Sequence, residues 1–402
     1  MVIAGIVGKP NTGKSTFFNS VTLQNVPMAN YPFTTVSPNF GVGYVKVECV
    51  CKSLGLDDNP INSTCINGSR FIPVKLVDIA GLVRGASEGR GLGNRFLDDL
   101  RQADVLIHVV DASGSVDEEG RQVAAGSHDP ESDISLVEDE FDKWLLEIVR
   151  KDWGRTSRGA DGNLARFVQA MLDRLSGLSI KISHVQLALQ RADLRGDKPA
   201  TWTSKDLEKF TRELRKVSKP SIVAANKADL PQAREIIRKL RSDGRKIIPT
   251  ASEAELLLRR AAKMGVIEYI TGATDFKIVD DSVLSDQQRA ALTIVRERVL
   301  SVWNTTGTQE VINSSFLELL DQIAVYPVED ETKFSDKKGN VLPDVYLVRQ
   351  GSTTKDLARL IHSDLGESFL HAVDARSGMR LGADYVLQNK DIIKIVAAAR
   401  KG

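Results

Sequence analysis

The octapeptide Gly8-Lys9-Pro10-Asn11-Thr12-Gly13-Lys14-Ser15 constrains this chain more than any other feature. It follows the short β-branched run from Val2 to Val7 and passes into Ser15-Thr16-Phe17-Phe18-Asn19, so it joins a predicted strand to a predicted helix. The pattern G-x-x-x-x-G-K-[ST] in that context suits a polyphosphate. Glycine lets backbone N–H groups approach phosphate oxygens without a Cβ clash, and the helix start adds positive potential. Gly8, Pro10, Asn11, Thr12, Gly13, Lys14, Ser15 and Thr16 are therefore the expected cradle. Lys14 should reach the β- and γ-phosphates as the catalytic cation, and Ser15 should set its hydroxyl on Mg2+. The bland alternative is a glycine-rich turn that binds nothing, against which the strand, loop and helix order argues.

Two further segments complete a nucleotide site. The run Phe71 to Val77 ends in Asp78-Ile79-Ala80-Gly81, where the Asp78 carboxylate can hold the Mg2+ shell and the Gly81 N–H can meet the γ-phosphate. Asn226-Lys227-Ala228-Asp229 follows the buried-strand run Pro220 to Ala225, at the mouth of a parallel sheet. A carboxylate accepts from the N1–H and exocyclic amine of guanine, whereas adenine has no proton on N1 and would leave the charge unpaired. Asp229 is thus expected to select GTP over ATP, by about 1–3 kcal/mol for one good bidentate base contact.

The remaining pattern predicts an α/β fold: a P-loop NTPase G domain, mostly parallel sheet flanked by helices, with an inserted helical domain and a small C-terminal β-sheet gripping one helix. Apolar runs at 105–110 and 246–249 supply further strands, and Asn67-Gly68 predicts a hairpin. Ile134, Phe141, Trp144, Leu145 and Ile148 recur at helical spacing, as do Phe167, Val168, Met171 and Leu175. Thr203-x-x-Asp206 and Thr353-x-x-Asp356 offer capping boxes. The expected division is 1–113 with 220–275 for the G domain, 114–219 for the helical insertion, 276–322 for a helical bridge and 323–402 for the terminal domain.

Charge excludes some classes of partner. With 54 Lys+Arg against 53 Asp+Glu the formal net charge is +1, which argues against a histone-like or polybasic membrane binder. The insertion is polarised, with ten acids to one base over 117–142 and 17 bases to nine acids over 143–219. Its basic part carries Trp153, Trp202 and Phe210, which could stack RNA bases or simply fill the helical core. The apolar start is interrupted by Lys9, too soon for a signal core or membrane span. Cys49, Cys51 and Cys65 cannot make a disulfide framework, so a reducing, cytoplasmic setting is expected. Three thiols without a nearby histidine leave a tetrahedral metal site incomplete, and separate structural cysteines are the expectation. His108, in a buried strand, reads as a satisfied core histidine.

Taken in order, the three nucleotide segments resemble the translation-factor class of GTPases. Tyr31-Pro32-Phe33-Thr34-Thr35 and Gly89-Arg90-Gly91-Leu92-Gly93-Asn94-Arg95-Phe96-Leu97 look like the Obg superfamily, and the helical insertion and terminal domain look like its YchF-related archaeal branch. The resemblance covers essentially the whole chain, and residues 323–402 resemble a TGS domain. It implies Thr35, with Thr34 as the second choice, as the switch threonine that closes on Mg2+ and the γ-phosphate. It implies Thr250-Ala251-Ser252 as the base-closing segment, where this chain reads Ala251-Ser252 in place of the usual Ser-Ala. It also implies GTP hydrolysis to GDP by a switch acting on ribosomes or RNA, and a K+ ion held through Asn11; the sequence leaves the oligomeric state open, with a monomer favoured. Leu82 stands where Ras-like enzymes carry the water-orienting glutamine, so intrinsic turnover should be slow, with Arg84, Glu88 and Arg90 as nearby groups that could be recruited. The alternatives are an ATPase of the YchF type, which in the strict sense lacks a good guanine-reading aspartate, and a nucleotide-gated RNA or ribosome binder with negligible hydrolysis.

Overall fold

The computed structural model describes residues 2–22, 40–79, 100–243 and 245–398. Its largest sheet is built from β1 (Ile3–Val7), β2 (Phe40–Glu48), β3 (Thr64–Ile66), β4 (Ser69–Asp78), β5 (Val105–Asp111), β6 (Ser221–Asn226) and β7 (Ile247–Pro249). The order is β2-β4-β1-β5-β6-β7, with β3 paired to β4. β1 runs parallel to β4 and β5, and β6 runs parallel to β5 and β7. Every residue of β5 is buried, as expected of a parallel strand covered on both faces. Register aligns the strand ends, pairing Ile6 with Asp78, Asp111 with Asn226, and Ala225 with Pro249. The chain leaves β1 for β4 on one side and returns to β5 on the other, which opens a crevice at the carboxyl edge.

The predicted insertion is helical: Pro130–Arg150, Trp153–Ala160, Leu164–Arg174, Ile182–Ala192 and Ser204–Ser218. Asp129 caps the first through the Glu131 N–H, and Thr203 with Asp206 forms the expected capping box on the last. Phe141, Phe167, Met171 and Phe210 are buried in one core. Trp153 and Trp202 stack with centroids 5.5 Å apart, and Trp202 lies 5.2 Å from Phe210. Packing therefore takes the aromatics that the sequence offered as a base-stacking surface; what remains of that footprint is its basic charge.

Two compact units divide the chain. One draws its described residues from 2–22, 40–41 and 75–311, including the two-stranded pair β8 (Ile267–Glu268) and β9 (Lys277–Ile278). The other draws on 42–74 and 312–398. Its five-stranded sheet runs β11 (Tyr346–Arg349), β10 (Gln322–Val328), β14 (Ile392–Ala397), β12 (Phe369–Asp374), β13 (Arg380–Leu381). The Thr354–Ile361 helix, started by the Thr353 and Asp356 capping box, contributes Leu357 to its core. The β3–β4 hairpin turns at Asn67 and Gly68, both with positive φ (51° and 72°), as an Asn-Gly type I′ turn requires. Residues 42–74 of this hairpin region share a compact unit with the C-terminal sheet, while β3 and β4 are also strands of the largest sheet. Asn59 N–H donates to the Val341 carbonyl (3.2 Å), Ile61 N–H to Pro343 (2.7 Å) and the Arg70 guanidinium to Leu342 (2.9 Å). Among the described residues no helix is long and apolar enough to cross a membrane.

Candidate functional site

The phosphate loop leaves β1 and enters helix α1 (Lys14–Thr22). Two of its glycines are required by their neighbours. Gly8 has φ 148°, and a Cβ there would lie 2.3 Å from the Val109 carbonyl oxygen on β5; Gly13 has φ 91°, and its Cβ would lie 2.2 Å from Asn226 Nδ2. Asn11 also adopts a positive φ, 63°. Ser15 is exposed at the start of α1 and Thr16 is half-buried, while Thr12 and Lys14 are buried. Thr12 Oγ1 and Lys14 Nζ both donate to the Lys9 carbonyl, at 3.1 and 2.9 Å. Burial lowers the Lys14 pKa, with Asp78 pulling the other way; burial raises that of Asp78 against the pull of Lys14. Asp78 Oδ1 is buried without a hydrogen-bond partner. That orphaned acceptor, with the Ser15 hydroxyl, is a donor set that fits Mg2+.

The base-side segments are joined to the cradle by one side chain. Asn226 Nδ2 donates to the Thr12 carbonyl (3.0 Å), and its Oδ1 accepts from the Ser252 N–H (3.1 Å). Lys227, at φ 59°, donates to Asp111 Oδ2 at 2.9 Å and to Ser115 Oγ at 3.2 Å. Burial pushes the Asp111 carboxyl up, but hydrogen bonds from Ser113, Lys227 and Ser115 outweigh it and hold it below the usual range. Ala228 is fixed on both sides, its N–H to Thr250 O (3.1 Å) and its carbonyl to Trp303 Nε1 (2.9 Å), and Asp229 follows it half-buried.

In Thr250-Ala251-Ser252 the resemblance assigns a backbone N–H and the serine hydroxyl to guanine O6, and the structure gives the backbone donors other partners. The Ala251 N–H donates to the Thr306 carbonyl at 2.9 Å, so it is already committed. Behind it Gly307 (φ 77°) packs so closely that a Cβ would meet the Pro249 carbonyl oxygen at 1.9 Å. With the Ser252 N–H taken by Asn226, the buried Ser252 hydroxyl, which has no partner, is the group left over in this segment. Thr35 and Gly81, with the 31–35 and 89–97 segments, Leu82, Arg84 and Glu88, lie outside the described residues.

Several supporting residues escaped the sequence reading. Lys9 is buried, and its ammonium donates to Asp133 Oδ1 (2.8 Å), Val116 O (2.9 Å) and Asp117 O (2.7 Å), with His128 Nε2 at 3.0 Å. Asn11 Nδ2 donates to the Gly120 carbonyl at 2.8 Å. The stretch after β5 thus braces the phosphate loop. The signal was present in the lysine at the loop's second position and in Ser113-x-Ser115 following Asp111, but neither names its partner. His108 is corrected too: it is buried, its Nε2 has no partner, and burial, helped by the Lys14 charge, holds its pKa down to about 3.

Similarity to known proteins follows the same lines. Residues 3–139 match the family described as 50S ribosome-binding GTPase, 224–330 the G4 motif-containing domain of Obg-like, YGR210-like GTPases, and 334–397 the TGS domain. A GTP-binding protein of Methanocaldococcus jannaschii is 48% identical over 402 residues, covering 100% of both chains. The crystal structure of a GTP-binding protein from Pyrococcus horikoshii OT3 superposes with a TM-score of 0.78 at 40% identity, over 99% of this chain and 100% of that one. The ribosome-binding ATPase YchF of Bacillus subtilis is 39% identical over 157 residues, 39% of this chain and 40% of its own. The chain belongs to the Obg-like/YchF family of GTP-binding proteins.

Proposed function

We propose that the chain binds GTP in this crevice, hydrolyses it slowly to GDP, and uses the two states as a switch on ribosomes or RNA. The observation that carries the reading is the Asn226 bridge: one amide at the end of β6 ties the phosphate loop after β1 to the base-closing segment after β7. Asp229, three residues on, is the guanine reader in this reading, and the Ser252 hydroxyl replaces the committed Ala251 N–H as the donor to the base. Ser15 and Asp78 would hold Mg2+, joined by Thr35, and the ion would neutralise charge on the β- and γ-phosphates. Lys14 exchanges its bond to the Lys9 carbonyl for phosphate oxygens, and Gly81 supplies an N–H to the γ-phosphate. Since Asn11 spends an amide proton on Gly120, its Oδ1 is the atom that would face K+. The ribosome as partner is supported by the name of the B. subtilis relative and by the basic side of the insertion.

Nucleotide titration of wild type and Asp229→Asn tests the base assignment. GTP should bind wild type more tightly than ATP, and the variant should lose roughly ten- to hundredfold in GTP affinity and gain XTP, because an amide donates to the xanthine carbonyl. Equal wild-type affinity for ATP and GTP would favour the ATPase reading. The same samples, followed through one turnover in KCl and in NaCl, decide the potassium assignment: equal rates remove it.

A further inference from the structure

We propose that Cys49, Cys51, Asp58 and Cys65 form a zinc-binding site in the second compact unit. The sequence showed three thiols and no histidine; the fold supplies the missing fourth ligand as a carboxylate. One ligand atom from each residue lies within 4.8 Å of every other. Cys51 Sγ and Cys65 Sγ are 3.8 Å apart, matching the edge of a tetrahedron with Zn–S bonds of ~2.3 Å, which is ~3.8 Å. A disulfide would need ~2.05 Å, and all three cysteines are free. Cys49 Sγ donates to Asp58 Oδ2 at 3.2 Å, a proton that metal binding would displace to solvent.

The surroundings fit a closed structural site. Cys49 and Cys51 are buried and Cys65 is half-buried. Arg70, fully buried on β4, reaches Asp58 Oδ2 at 3.3 Å and Ser63 Oγ at 3.0 Å, so a second layer holds the carboxylate in place. Three thiolates and a carboxylate leave a dication site with an excess of negative charge, and the Arg70 guanidinium offsets part of it. Three sulfurs with one hard oxygen suit Zn2+ better than Cu+ or an iron–sulfur cluster. The local fold also has use for a staple. Helix α2 (Val50–Leu54) is five residues long, and Cys49 stands at its N-cap without a side-chain capping bond; β3 has three residues. A metal would tie the start of α2, the 55–63 loop and β3 together.

The test uses the full-length chain, expressed with zinc and purified in reductant without chelator. Elemental analysis should give about one zinc per chain. Exchange for Co2+ should give thiolate-to-cobalt charge-transfer absorbance and the intense visible bands of tetrahedral cobalt. Cys51→Ser and Cys65→Ser should lose the metal and keep GTP affinity within about twofold of wild type, since the described residues of the nucleotide site, Gly8 to Thr16, Asp78, Asn226 to Asp229 and Ala251-Ser252, all lie in the other unit. If the serine variants do not fold, wild type still decides: titration with a mercurial must release zinc as the three thiols react. A wild-type chain that takes up neither Zn2+ nor Co2+ under these conditions, that gives only an octahedral cobalt spectrum, or that carries a Cys51–Cys65 disulfide when isolated in reductant overturns the proposal.

Discussion

Buried ionisable side chains beside the crevice carry consequences that an exposed residue would not. His108 sits on β5 with its Nε2 unpartnered and its pKa held near 3 by burial. The unfolded chain takes up a proton on this residue near pH 6.5, whereas the native chain does so only near pH 3. More protons on the unfolded side mean that stability is lost as pH falls through that window. Wild type should therefore lose on the order of 3 kcal/mol relative to His108→Leu between pH 7 and pH 4, read from urea unfolding at both values. Parallel stability curves for the two proteins would show that His108 is not the titrating group. Lys14 and Asp78 show the complementary case: burial lowers the pKa of Lys14 and raises that of Asp78, and the opposite charge of each pulls the other back toward its ordinary value.

At the scale of elements, the site is a set of strand ends held in register. β1, β4, β5 and β6 deliver the phosphate loop, Asp78, Asp111 and Asn226 to one edge, and Asn226 joins β6 to both the loop after β1 and the helix after β7. Asn226→Ala would leave the Thr12 carbonyl and the Ser252 N–H, both buried, without partners, at about 1–3 kcal/mol each. The variant should lose roughly 2–6 kcal/mol of stability by denaturant titration and bind GTP at least tenfold more weakly by calorimetry. Unchanged GTP affinity would mean that the bridge is structural only. The strands, the Asn67-Gly68 turn and the two Thr-x-x-Asp capping boxes were legible in the sequence because each is specified within a few residues. The partner of the Ala251 N–H was not, because Thr306 lies beyond several intervening helices.

For the whole molecule, the division into units has its own consequence. Residues 42–74 are held to the C-terminal sheet region by backbone and side-chain bonds such as Asn62 Oδ1 with the Val345 N–H at 3.1 Å and Arg70 with Leu342. A chain cut after residue 322 should therefore expose the pocket around Arg70, bind a hydrophobic dye, and melt well below the full-length protein. Equal, cooperative melting would restore the simpler boundary at 323. What the amino-acid order determined alone is local: a glycine-rich loop between strand and helix, a carboxylate at a strand end, an Asn-Lys-Ala-Asp tetrapeptide after another strand, and the helix caps. The tertiary structure decided which groups support them. Lys9 meets Val116 across 107 residues of sequence, Lys227 meets Asp111 across 116, and Asp58 completes the cysteine cluster from a loop. Periodicity and turn chemistry act over a few residues, whereas these pairs exist only because parallel strands bring distant loops to one edge and a hairpin folds back on its own loop; no local pattern carries that information.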